Sequence, residues 1–136
     1  MTLHPKNHWQ IPEQTAQIAR ASFPKGNEFM KMCDELGTLY TDTDFATLFP
    51  ARSGQSAISP AKLALITVMQ FALGLTDRQA ADAVRARIDW KYALGLDLTD
   101  SGFDSTVLGE FRHRLCEYEL SNQLLDVMLL RFTEKN

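Results

Sequence analysis

Apolar positions along this chain recur at three- and four-residue intervals, and nowhere does a run alternate apolar and polar over the length of a strand. That period predicts an all-α fold. Residues 1–12, with Pro5 and Pro12 among polar neighbours, read as a flexible N-terminal arm, and 13–136 as one helical domain. A first helix is expected over 13–22, stopping short of Pro24 because the residue before a proline avoids the α region. Asn27 can cap a second helix through Leu36, with Phe29, Met32, Cys33 and Leu36 on one face and Gly37 at its end. A helical turn over 44–49 precedes Pro50, and 51–58 reads as loop.

The strongest helix signal follows. Ser59 is a suitable N-cap, Pro60 fits the first helical position, where its missing N–H costs nothing, and the helix should run to Leu73 before Gly74. Leu63, Leu65, Ile66, Val68, Met69, Phe71 and Leu73 surround it, so it is expected to be buried on all sides as the hub of a compact multi-helix domain. Gln70 interrupts the apolar run. Thr76 and Gln79 form a capping box for the next helix, whose apolar positions Ala80, Ala81, Val84 and Ile88 lead on to Trp90, Tyr92 and Leu94 before Gly95. Arg78, Arg85 and Lys91 fall roughly on one stripe of that segment, with Arg87 to the side.

After an acidic loop over 96–102, Asp104 or Ser105 caps a helix reaching Glu117. Its buried stripe is Val107, Leu108, Phe111, Leu115 and Tyr118; its opposite face is Thr106, Gly109, Glu110, His113 and Glu117, with Arg112 and Arg114 on the flanks. A last helix over 121–133 has two apolar stripes. Leu120, Leu124, Val127 and Met128 can pack on the domain, whereas Leu125, Leu129 and Phe132 need another partner and are candidate interface residues.

Composition narrows the class without naming a function. With 45% hydrophobic and 23% charged residues, the chain is that of an ordinary globular protein. No apolar h-region opens it and no run is long enough to span a bilayer, which predicts a cytoplasmic protein without membrane contact. Cys33 and Cys116 are read as small buried residues in a reducing compartment. The net charge of −3 argues against strong non-specific nucleic-acid binding. Its distribution is uneven: residues 52–91 hold six basic and three acidic groups, an excess of +3, while both flanking thirds are acidic.

Catalytic patterns are missing. There is no P-loop, nucleophile elbow or zinc-protease helix. The histidines His4, His8 and His113 are scattered, and the carboxylates fall on helix ends and loops, so neither a metal nor another cofactor is expected. Two features could meet DNA. The helices over 59–73 and 76–88, joined by Gly74 and Leu75, resemble the opening of a helix-turn-helix, although plain helical hairpins share that pattern. The helix from Ser105 offers hydroxyls at Ser105 and Thr106 and charge at Arg112, His113 and Arg114. The competing reading of that helix is amphipathic packing, its arginines paired with Glu110, Glu117 and Asp104.

The run from Gly74 to Leu96 (GLTDRQAADAVRARIDWKYALGL), with Phe103 to Leu115 around Val-Leu-Gly-Glu-Phe-Arg, resembles the N-terminal domain of InsH-type insertion-sequence transposases. Asn27 to Tyr40, Phe45 to Pro50 and the Ser59-Pro60 helix share the likeness, which covers roughly residues 9–132. The resemblance implies a DNA-binding domain that recognises terminal inverted repeats. In such transposases it precedes a catalytic domain whose DDE acidic triad binds two metals.

The chain stops at Asn136, before any catalytic domain, and none of its carboxylates matches the triad. The expectation is therefore a non-catalytic binder of double-stranded DNA at transposon ends. Arg78, Arg85, Arg87 and Lys91 would meet phosphate, and Ser105, Thr106, Arg112, His113 and Arg114 would form a second contact surface. The alternatives are an oligomerisation module, acting as a homodimer or with a full-length transposase, and a truncated regulator of the full enzyme. A metal-dependent nuclease ranks last.

Overall fold

Local capping chemistry sets most of the helix ends. In the computed structural model, residues 10–36 and 59–117 are described; they are helical with no strand among them, and the fold is all-α. Helix α1 spans Glu13–Ser22 and α2 spans Glu28–Leu36. Asn27 caps α2 as anticipated, its Oδ1 accepting from the Met30 N–H at 3.0 Å. Helix α3, Pro60–Leu73, begins at Ser59, whose Oγ accepts from the Lys62 N–H. It ends at Gly74 with φ +67, a left-handed conformation that a side chain would resist.

Helix α4 covers Asp77–Ala86, α5 Ile88–Leu94 and α6 Thr106–Glu117. The capping box at the start of α4 is present in both directions: the Thr76 N–H donates to Gln79 Oε1 at 2.9 Å and the Gln79 N–H to Thr76 Oγ1 at 3.1 Å. Asp104 is the cap of α6, accepting from the Thr106 N–H at 2.9 Å. Of the arm expected over 1–12 only residues 10–12 are described, and the segments expected over 44–49, 51–58 and 121–133, with Leu125, Leu129 and Phe132, lie outside the described residues.

Three expectations are corrected. The segment after Thr76 is two helices, because Arg87 adopts extended φ −96, ψ 123 between them. Its N–H still closes α4 on the Ala83 carbonyl, and its own carbonyl opens α5 by accepting from the Lys91 N–H. The stripe through Arg78, Arg85 and Lys91 therefore stops at α4. Secondly, α3 is buried from Ala61 to Gln70 except Lys62, but Phe71 is 75% exposed and Leu73 37%, so its last turn leaves the core. Thirdly, Cys116 is exposed and Cys33 only half-buried, and neither is in a disulfide.

The described residues group into two units, 10–36 with 82–102 and 59–81 with 103–117. In the first, α1 and α2 both pack on α5. Ala19, Met30 and Tyr92 form a small core with Ile11, Ala16, Phe23, Cys33 and Ile88 against it. Phe29 meets Trp90 edge to face at 6.0 Å. In the second, α3 packs on α6, which buries Leu108, Phe111 and Leu115. These three belong to the inner stripe expected of α6; Val107 is only half-buried and Tyr118 lies outside the described residues.

Candidate functional site

The basic residues singled out from the sequence divide between the two units. Arg85, Arg87 and Lys91 belong to the first. There, each is held by bonds inside the unit. Arg87 donates from Nε and Nη2 to the two carboxylate oxygens of Asp89, at 3.0 and 2.7 Å, while its guanidinium lies 5.8 Å from the ring centres of both Phe29 and Trp90. Asp89 is 1% exposed and also accepts from Asn27 Nδ2 at 2.7 Å. The cap of α2 thereby ties that helix to α5. A charge buried this deeply needs such partners.

Lys91 is 4% exposed, with Nζ donating to the Asp100 carbonyl at 3.0 Å. Burial pushes its pKa below the usual lysine range, against the opposing pull of the Asp100 carboxylate. Arg85 is more open. Its Nη2 donates to Asp82 one turn earlier at 2.6 Å, and its stem lies along Gly102 so closely that an added Cβ would fall 2.9 Å from Cγ. With φ +77 as well, Gly102 is a glycine for two reasons.

The second unit holds Arg78, Ser105, Thr106, Arg112, His113 and Arg114. Arg78 is exposed on the first turn of α4, and its side chain makes no hydrogen bond or ion pair with another described residue. Thr106 and His113 are exposed on the outer face of α6 with Glu110, while Ser105 and Arg114 are half-buried. The start of α6 is already occupied by a carboxylate, since Asp104 Oδ1 takes both the Thr106 N–H and its hydroxyl, the latter at 3.1 Å. An anion arriving there meets Asp104 first, which weakens the attraction of a helix N-terminus for phosphate.

Arg112 pairs with Asp77 of α4. Its two terminal nitrogens donate to the two oxygens of Asp77, each at 2.8 Å. Gln70 donates to the same carboxylate at 2.8 Å and to the Leu75 carbonyl at 3.1 Å. The Arg112 hydrogen bonds, with smaller help from Gln70, hold the Asp77 carboxyl below the usual carboxylate range against the effect of partial burial.

Asp77, Gln70 and Asp89 were not anticipated as organising residues. Gln70 was visible only as a polar interruption in an apolar helix, and Asp77 only as a residue between the capping partners Thr76 and Gln79. A part-buried network around the Tyr92 hydroxyl joins α1, α2 and α5. Tyr92 donates to Asp34 at 2.6 Å and accepts from Arg20 at 2.7 Å. Burial, then the Asp34 bond, pushes the Tyr92 phenol up to about 12.

No group of three or more His, Cys, Asp or Glu among the described residues could hold a metal ion, and no helix among them is long and apolar enough to cross a membrane. No curated protein and no solved structure matches the chain. A protein family does: the one described as Transposase domain (DUF772) matches residues 18–114, from within α1 to within α6, so every basic residue discussed above lies inside the match. That stretch is well over half of the sequence, and the chain belongs to this transposase-domain family.

Proposed function

We propose that this chain is the DNA-binding domain of an InsH-type DDE transposase, a cytoplasmic protein that recognises the terminal inverted repeats of its element and does no strand chemistry itself. The family match over residues 18–114 carries the reading. Arg78 supports it as an exposed cation, and so does the outer face of α6, where Thr106 and His113 face solvent. Arg87, Lys91 and Arg112 are tied down by internal bonds, so phosphate contact falls first to Arg78. Arg85 and Arg114 would join it by exchanging bonds they already make, such as that of Arg85 with Asp82, and Thr106 and His113 would face base edges. Phosphate contacts of this kind set register and affinity, and base contacts set sequence preference.

Selection from a randomised duplex pool, compared with the sequences flanking the gene, tests this reading. Enrichment of a motif present at both flanks is the expected result, with affinity falling as salt rises. Failure to enrich any motif would overturn it. The same purified chain, incubated with magnesium or manganese and the enriched duplex, should leave both strands intact.

Phe71 favours a second reading, an oligomerisation module pairing with its own copy or a full-length transposase. A phenylalanine 75% exposed beside Leu73, in a chain of net charge −3, is more typical of a protein contact than of a phosphate surface. Sedimentation over a concentration series separates the two: a monomer that binds the enriched duplex supports the first, and a tight dimer indifferent to DNA supports the second.

A further inference from the structure

The Arg112–Asp77 pair is half-exposed, with side-chain accessibilities of 41% and 32%. A two-pronged pair this open adds modest stability, and it supplies something more. What a two-pronged guanidinium–carboxylate bond supplies is direction. The apolar stripe of Leu108, Phe111 and Leu115 sets which face of α6 turns inward, and a directional bond at its edge fixes the finer rotation about the helix axis.

Asp77 provides that bond. Its carboxylate is fixed from α3 by buried Gln70, which also holds the turn at Leu75. It then meets α6 over two successive turns: Arg112 grips it, and Gly109, three residues earlier, faces it so that an added Cβ would lie 3.8 Å from Oδ2.

We propose that Asp77 and Arg112 are positioning residues for DNA reading by α6: their bond, anchored by Gln70, sets the rotation of the helix and so selects which side chains its outer face presents. This rests on the DNA-binding reading above. Arg112 is then no phosphate contact, and the residues it aims are Thr106, Glu110 and His113, one outer stripe of α6.

The test uses the full chain with Asp77→Asn and Arg112→Gln. Binding to the pool-enriched duplex and to a scrambled duplex is measured over a salt series, with helix content followed by circular dichroism. Both variants should keep their helix content and lose about tenfold in the ratio of specific to scrambled affinity, the scale of one base contact. Their salt slopes on the scrambled duplex should match the wild type. Should either variant fold poorly, Arg112→Lys, which keeps the charge but not the fork, is expected to show the same loss of ratio.

A slope shallower by about 0.9 in Arg112→Gln, with Asp77→Asn unaffected, marks Arg112 as a phosphate contact and overturns the proposal. So does a wild-type ratio in both variants. If the wild type itself fails to distinguish the two duplexes, the DNA-binding reading has failed and the positioning role goes with it.

Discussion

The two units use charge in opposite ways. In the unit of α1, α2 and α5, Asp89 and Lys91 sit inside the packing, 1% and 4% exposed, Asp89 tying α2 to α5 through Asn27 and Lys91 holding the loop at Asp100. Among the described residues of the unit of α3 and α6, the buried positions are apolar apart from Thr67 and Gln70, and the ion pair of Asp77 with Arg112 is half-exposed. Thr67 only bonds the Leu63 carbonyl of its own helix. A cation beside buried aromatic rings, as Arg87 is beside Phe29 and Trp90, is first a packing element. A cation on an outer turn, as Arg78 is, is available to a partner.

The apolar unit should respond most to lost volume. Phe111→Ala empties a site that is 1% exposed and is expected to cost about 4 kcal/mol, read as a lower midpoint in urea unfolding. The polar unit should respond most to lost charge. Asp89→Ala strands Asn27 and Arg87, but Arg87 is half-open to water, so the cost should be nearer 3 kcal/mol by the same measurement. A negligible loss from Asp89→Ala would erase the contrast between the units.

Tyr92→Phe sharpens the comparison at about 1 kcal/mol, the net worth of a hydrogen bond. Because the folded phenol titrates about 12 against 10.0 when unperturbed, its contribution is complete below 10.0 and is lost as pH rises toward 12. Wild-type stability should therefore fall over that window in chemical unfolding, with a smaller fall in Tyr92→Phe. Arg78→Ala is the smallest effect, within about 0.5 kcal/mol on stability. On the DNA-binding reading it should nonetheless weaken enriched and scrambled duplexes alike and flatten the salt slope.

What was legible in the sequence was local. Ser59-Pro60, Thr76 with Gln79, Asn27 and the glycines after α3 and α5 act within a few residues of themselves, and the helix ends they imply are where the structure has them. The break at Arg87 was hidden because Ala80, Ala81, Val84 and Ile88 keep a helical period straight across it. Its logic lies in Asp89, which turns inward to a partner 62 residues away.

Lys91 and Arg112 looked like surface cations for the same reason: charge type indicates solvent, while the acceptors that claimed them, the Asp100 carbonyl and the Asp77 carboxylate, lie in other elements. Nor can an apolar count distinguish the buried Ile66 from the exposed Phe71, since that depends on which neighbours arrive.

The single extended residue between α4 and α5 also bears on how such domains can diverge. Adding or deleting one residue there would change the direction and phase in which α5 leaves α4, pulling Asp89 from Asn27 and Trp90 from Phe29. No neighbouring adjustment restores both the carboxylate's donors and the aromatic seat. Length variation among sister sequences should consequently collect around the exposed stretch at Asp97 to Ser101 and be absent at Arg87.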